Sequence, residues 1–232
     1  MKKIGFIGCY DKTDFIIYVA KILVSMGKKV IVIDSTINQK AKYVVPVIKP
    51  SKSYVTEFEG IEVAVGFENV DEIKQYLGLQ SELNLDYDIA LIDADNYESI
   101  KNYELEQAEK NYFVTSFDAF SLKKGLEILS GLTQIMKLTK VLYSKNATNE
   151  EDEYLNYLSL GYKIEWEDER IYFPVEVGDQ SVIAENQRVS KIKFKNLSEQ
   201  YKQALMYIAE QLLEKEKYTE IRRVFKQLEK GV

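Results

Sequence analysis

Ile4-Gly5-Phe6-Ile7-Gly8-Cys9-Tyr10-Asp11-Lys12-Thr13-Asp14 is the stretch on which the fold of this chain turns. Ile4 to Ile7 is a short apolar run closed by a glycine, the pattern of a buried strand. From about Lys12 to Met26 the chain is almost wholly apolar, with Phe15, Ile16, Ile17, Val19, Ala20, Ile22, Leu23 and Val24. That length with few turn residues predicts a largely buried helix, capped at its end by Gly27. Val30-Ile31-Val32-Ile33-Asp34 follows, a β-branched run ending in an acid, which predicts a central parallel strand. Strand, short turn, buried helix and strand make a βαβ unit. Ligands of such sheets bind at the carboxyl ends of the strands. A turn like Gly8 to Thr13 places backbone N–H groups and a helix N-terminus around an anion, a Lys against its charge and a Thr hydroxyl on a metal.

Working outward, the rest of the chain keeps alternating. Strands are expected at 53–58 (an edge), 61–65, 88–93, 112–115, 141–143, 163–166 and 171–173, with a strand or extended segment at 191–194. Helices are expected at 71–77, 98–109, 121–132, 150–160, 198–213 and 218–228, with one helical turn at 181–185. Residues 38–59 are less regular, and Pro46 and Pro50 mark turns. The order predicts an α/β fold of three layers (αβα), a mostly parallel sheet covered by helices on both faces. No linker, repeat or low-complexity tract interrupts it, so one domain over 1–232 is expected, with a C-terminal helical segment at 197–230.

Composition narrows the chemistry. The 232 residues include 31 Lys+Arg, 37 Asp+Glu and no His, so imidazole bases and imidazole metal sites are excluded. A single cysteine, Cys9, excludes an internal disulfide and a thiolate zinc cluster. The net charge of −6 argues against indiscriminate nucleic-acid binding, and no specific nucleic-acid partner is expected. No apolar run reaches membrane-span length, and the apolar run after Met1-Lys2-Lys3 is too brief for a signal peptide, so a cytoplasmic address is expected.

The turn resembles the phosphate loop of the MinD/ParA family of deviant P-loop ATPases, which reads Gly-Lys-Gly-Gly-Val-Gly-Lys-Thr-Thr. Here the same places hold Phe6, Ile7, Gly8, Cys9, Tyr10, Asp11, Lys12, Thr13 and Asp14. Val30 to Asp34 is similar to the family's second strand, with Thr36 where a second acid belongs. Tyr87-Asp88-Ile89-Ala90-Leu91-Ile92-Asp93 is similar to its acidic strand. Thr115 to Leu129, Phe173-Pro174, Val182 to Asn186 and Tyr201 to Leu213 follow its later segments, and Leu142-Tyr143-Ser144-Lys145-Asn146 loosely resembles its base-binding region. The resemblance implies a nucleotide-binding fold, phosphate contacts from Gly8, Cys9, Tyr10, Asp11, Lys12 and Thr13, and a magnesium ion held by Thr13, Asp34 and Asp93 if Mg-ATP binds. It also implies protein partners and a homodimer formed face to face.

Three family roles are altered. The signature lysine, which reaches the partner subunit's nucleotide, is replaced by Ile7. The glycine before the invariant lysine is replaced by Asp11, which adds a Cβ and a negative charge where backbone approaches phosphate. Two charges about 4 Å apart interact by roughly 4 kcal/mol at an effective dielectric near 20. Thr36 cannot orient a water as an acid does. The expectation is therefore a degenerate member, similar to the pilus-assembly TadZ/CpaE branch, that needs no cofactor because Asp11 pairs with Lys12 or the helix N-terminus as a built-in anion. The alternative is an active partition-type ATPase using ATP and Mg.

Other residues have plainer expectations. Asp34 and Asp93 serve as strand-end caps or as retained metal ligands; Asp95 and Asp118 as helix caps; Cys9 as a small buried residue. Glu150 to Glu153 form the acidic first turn of a helix. Tyr218, Ile221, Val224, Phe225 and Leu228 make one stripe, with Arg222, Arg223, Lys226 and Lys230 around it. Such a stripe at 218–230 packs on the domain or on a second subunit, or binds anionic lipid at the inner face of the membrane. Glu220 and Glu229 dilute its positive charge, so packing is expected.

Overall fold

The computed structural model describes residues 1–80, 82–145, 148–213 and 218–231. Residues 214–217, inside the expected segment 197–230, and Asn146 lie outside the described residues. In chain order the elements are β1 (Lys2–Ile7), α1 (Thr13–Ser25), β2 (Val30–Asp34), α2 (Ala41–Val44), β3 (Tyr54–Phe58), β4 (Ile61–Val65) and α3 (Val70–Tyr76). Then come β5 (Ile89–Ala94), α4 (Tyr97–Asn102), β6 (Lys110–Ser116), α5 (Ala119–Leu129), β7 (Met136–Ser144) and α6 (Asn149–Leu158). The last are β8 (Ile164–Pro174), α7 (Val177–Arg188), α8 (Glu199–Leu212) and α9 (Tyr218–Lys230).

The strands form one sheet in the order β3-β4-β2-β5-β1-β6-β7-β8. Every pairing is parallel except β3 with β4. Strand alternation splits the core in two. Ile4, Phe6, Val30, Val32, Ile89 and Leu91 join α1, α8 and α9 on one face. Ile7, Ile31, Ile33, Ala90 and Ile92 join α3, α4, α5 and α6 on the other. Helix α1 is apolar on nearly every side because it is enclosed by β2, α8 and α9. Each large apolar side chain so enclosed contributes roughly 1.5–3 kcal/mol.

Several boundaries differ from expectation, each for a tertiary reason. The helix expected at 98–109 stops at Asn102, and Glu104 takes a left-handed φ of 56°. Tyr103 and Leu105 are both fully buried, and residues two apart on a continuous helix face opposite ways. The strands expected at 163–166 and 171–173 are one, β8, because its polar middle, Glu167 to Arg170, lies on the open edge of the sheet. The turn at 181–185 extends into α7, which is anchored by polar contacts: Asn186 Nδ2 donates to Lys193 O (2.8 Å) and Gln187 Nε2 to Asp14 Oδ1 (2.7 Å). Residues 191–194 form no strand; instead Ile192 and Phe194 insert into the α1 side of the core.

Asp118 caps α5 as expected, accepting from Ser121 N at 2.9 Å. Asp95 does not cap; its neighbour Asn96 caps α4, while Asp95 Oδ1 accepts from Ile37 N at 2.9 Å. The stripe of α9 is used inside the fold: Ile221, Val224 and Phe225 are buried, and α9 packs on α1 and α8. Among the described residues no helix is long and apolar enough to cross a membrane.

Candidate functional site

The site lies at the carboxyl ends of β1, β2 and β5. β1 delivers Gly8, whose φ of +143° and close approach to Val114 O leave no room for a Cβ. β2 delivers Asp34 and β5 delivers Asp93, which are direct neighbours in the sheet register. α1 begins at Thr13, so Lys12 occupies the helix N-cap position without a side-chain cap of its own.

Lys12 and Asp93 form a buried pair, with each side chain 2% exposed. The ammonium lies 2.7 Å from Asp93 Oδ1. Lys12 Nζ also donates to Gly8 O at 2.8 Å. Thr13 Oγ1 donates to Asp93 Oδ2 at 3.2 Å. Asp34 is satisfied by its own segment: Oδ1 accepts from Thr36 N (3.0 Å) and Thr36 Oγ1 (2.6 Å), and Oδ2 from Ala41 N (2.8 Å). That last bond ties the start of α2, the helix the sequence reading did not anticipate.

Asp11 does not pair with Lys12. Its Oδ1 accepts from Thr13 N at 3.3 Å, meeting the helix N-terminus as expected, and its Oδ2 binds Lys40. Lys40 also binds Asp14, whose other oxygen accepts from Gln187. Gln39, just before Lys40, is a non-glycine residue in a left-handed conformation (φ 48°), at a cost of roughly 1–2 kcal/mol. Burial lowers the Lys40 pKa, but Asp14 and Asp11 outweigh it and the pKa is raised. The two sets of pairs differ in strength. Part-exposed pairs such as those of Lys40 are worth roughly 0.2–1 kcal/mol each, whereas truncating one member of a buried pair such as Lys12–Asp93 costs about 3–5 kcal/mol.

Two cavities flank the turn. One, of about 330 Å³, is lined by Cys9, Thr13, Thr36, Asp93 and Asp95. The other, of about 290 Å³, is lined by Phe15, Tyr143, Pro174, Glu176, Ile183 and Tyr201. Tyr10, Asp11 and Lys40 border both. Tyr10 packs on Tyr143 with ring centroids 4.5 Å apart. Burial pushes the Cys9 thiol up, with Asp95 adding to the shift, so it stays protonated and behaves as a small packed residue. Among the described residues no group of three or more Asp, Glu or Cys is placed to hold a metal.

An eight-stranded, mostly parallel sheet with a tight β1–α1 turn superposes over nine-tenths of this chain on solved ParA and MinD structures. The fold is that of the ParA and MinD ATPases. A ParA family ATPase from Chlorobium tepidum TLS superposes with a TM-score of 0.61 at 12% identity, covering 91% of this chain and 98% of that one. A chain of the MinC:MinD cell division protein complex of Aquifex aeolicus gives 0.57 at 12% identity, covering 91% and 95%. A plasmid partition protein of Borrelia burgdorferi B31, solved bound to AMPPNP, gives 0.51 at 13% identity, covering 97% and 98%. No family model matches the chain, and no curated protein matches it by sequence.

Measured against the sequence reading, the structure brings Gly8 to Thr13, Asp34 and Asp93 together. It adds Lys40, which the reading missed. The only signal was a lysine six residues beyond a strand-end acid, in a segment without periodicity.

Burial pushes Asp93 up to about 6; Lys12 pulls it down and Asp34 pushes it up. A raised carboxyl binds a proton in the folded chain before the unfolded chain does, so its contribution to stability grows as pH falls from about 6 towards 4, the ordinary carboxylate range. Denaturant unfolding of wild type and Asp93→Asn across that window checks this. The stability gap should shift in favour of wild type with acid; a flat gap contradicts the assignment.

Proposed function

We propose that this chain is a nucleotide-independent positioning or assembly factor built on the ParA/MinD fold, of the kind that places pilus or secretion machinery in the cytoplasm. The observation that carries the reading is that each charged side chain at the turn is already matched within the chain. Lys12 serves Asp93 and Gly8, Lys40 serves Asp11 and Asp14, and Asp34 serves Thr36 and Ala41. Two features favour this reading over Mg-ATP binding: both lysines at the cavity are engaged within the chain, and Asp11 adds a carboxylate beside Lys12. The chain's own pairs hold the turn in one shape, and contact supplies the function. Large apolar side chains stand exposed after β2, β6 and β8: Ile37 and Ile48 in the connection from β2, Tyr43 on α2, and Phe120 and Val177 in the first turns of α5 and α7. They suit a protein partner or a second copy, and a homodimer formed there would be independent of nucleotide.

A working ATPase of the partition type is favoured by one observation, the convergence of Lys12, Thr13 and Asp93 at one cavity, with Asp34 beside Asp93 in the sheet register. A thermal-shift titration decides between the two. The expected result is no saturable rise in midpoint at millimolar Mg-ATP. A ligand at 100 times its Kd stabilises by about 2.7 kcal/mol, so a clear saturable rise, with phosphate release above a Lys12→Ala control, overturns the adaptor reading.

A further inference from the structure

We propose that copies of this chain associate head to tail, the acidic and aromatic outer face of α6 on one copy seating against the basic outer face of α9 on the next. This association is independent of the adaptor reading, because no residue of α6 or α9 lines the cavities at the turn. On α6, Glu150, Glu153, Tyr154 and Tyr157 recur at helical spacing, with Leu160 just past its end, and all five are exposed. Tyr154 is 48% exposed, Tyr157 70% and Leu160 74%, so the stripe is acidic at its start and apolar at its finish. On α9, Arg222, Arg223, Lys226 and Lys230 are exposed, while Ile221, Val224 and Phe225 hold the inner face. Among the described residues, Glu150, Glu153, Arg223, Lys226 and Lys230 take part in no ion pair, and Arg222 has only Glu210, at 3.5 Å.

Topology sets how the two patches can meet. Leu155 and Leu158 fix α6 to the core on one face of the sheet, and Ile221, Val224 and Phe225 fix α9 to the core on the other. The patches of one molecule therefore look away from each other and cannot join within it. A two-fold contact through α6 would set Glu150 and Glu153 against their own copies, and one through α9 would set Arg and Lys against Arg and Lys. Like charges so placed oppose docking. Set α6 against α9, and opposite charges face each other. Run antiparallel, the steps Glu150–Glu153–Tyr157 and Lys230–Lys226–Arg222 keep pace, about one helical turn at a time. The basic last turn of α9 then lies beside the acidic first turn of α6, and Arg222 or Arg223 reaches the exposed ring of Tyr157, a surface that suits a guanidinium. Because the contact joins two different patches on opposite faces, each copy can take two neighbours.

Sedimentation velocity of the full chain over a concentration series tests this. At about 0.1 M NaCl the sedimentation coefficient should rise with concentration past that of a dimer. At about 1 M NaCl the apparent Kd should be at least about tenfold weaker, because the Debye length falls from about 10 Å to about 3 Å. Two variants change exposed residues alone, where substitution rarely disturbs a fold: Arg223→Glu/Lys226→Glu on α9, and Tyr154→Ser/Tyr157→Ser on α6. Each by itself should stay monomeric. Mixed, the intact α6 of the first meets the intact α9 of the second, and assembly should stop at a one-to-one dimer. Wild type that stays monomeric throughout the series overturns the proposal; if that monomer floats with phosphatidylserine vesicles, the basic face serves an anionic lipid surface instead. Association that neither variant weakens overturns it too, as do two folded variants that fail to pair when mixed. If a variant loses its fold, Lys226→Gln takes its place, and a Kd equal to that of wild type overturns the proposal.

Discussion

Lys12→Ala is expected to destabilise the fold by about 3–5 kcal/mol, the cost of leaving one member of a buried ion pair without its partner. At this chain length that corresponds to a fall in Tm of roughly 6–20 °C. Asp93 is the reason. Its side chain is 2% exposed, has Asp34 as its register neighbour, and keeps only the Thr13 hydroxyl once the ammonium is gone. The stranded carboxylate can escape by taking up a proton, so the penalty should be smaller at pH 5 than at pH 8. Replacing both partners with apolar side chains, Lys12→Met/Asp93→Leu, should recover most of the loss, because a matched apolar pair avoids the desolvation of two charges. Urea unfolding of wild type, both single variants and the double variant measures this cycle. A Lys12→Ala protein as stable as wild type would mean that this lysine is held in reserve for a ligand, and would count against the adaptor reading.

Gly8→Ala is the second large effect. A Cβ at Gly8 would lie 2.1 Å from Val114 O, a backbone atom of β6 that cannot rotate away, and φ is +143°. The N–H of Gly8 itself is committed as well, donating to Ala94 O of β5 at 3.0 Å. The strain of the backbone region and the overpacking each cost about 1–3 kcal/mol, so a loss of about 2–6 kcal/mol is expected. Gly178→Ala in α7 is the matched control: a Cβ there meets nothing within 4 Å, and alanine in a helix gains roughly 0.5–1 kcal/mol over glycine. Soluble yield and denaturation midpoint should therefore move in opposite directions for the two variants. Equal behaviour would show that the turn can relax away from β6. The same crowding explains why Gly8 is glycine even where the turn serves no phosphate: the sheet requires it independently of any ligand.

These two residues also separate what is local from what is not. Periodicity and residue type alone gave the strand at Ile4 to Ile7, the buried helix behind it, the β-branched run ending at Asp34 and the acidic strand ending at Asp93, because alternation along a strand and all-round burial of a helix are written in consecutive residues. The resemblance of the Gly8 to Thr13 turn to a phosphate loop came from the same short range, and so did its departures, Ile7, Asp11 and Thr36. Where local pattern misled, a distant contact was responsible. The helix after Tyr97 is cut short because Tyr103 donates to Phe67 O, and β8 runs on through charged residues because one of its edges is open.

The amino-acid sequence by itself determined the layered α/β order and the tight turn between β1 and α1, since both follow from hydrophobic period and from a turn between adjacent elements. Only the tertiary structure decided which charge answers which. Lys40 reaches Asp11 across 29 residues of chain and Thr13 reaches Asp93 across 80. Coulomb attraction and hydrogen bonding depend on distance in space, and that distance is set by how the sheet orders its strands, a quantity that no run of neighbouring residues encodes.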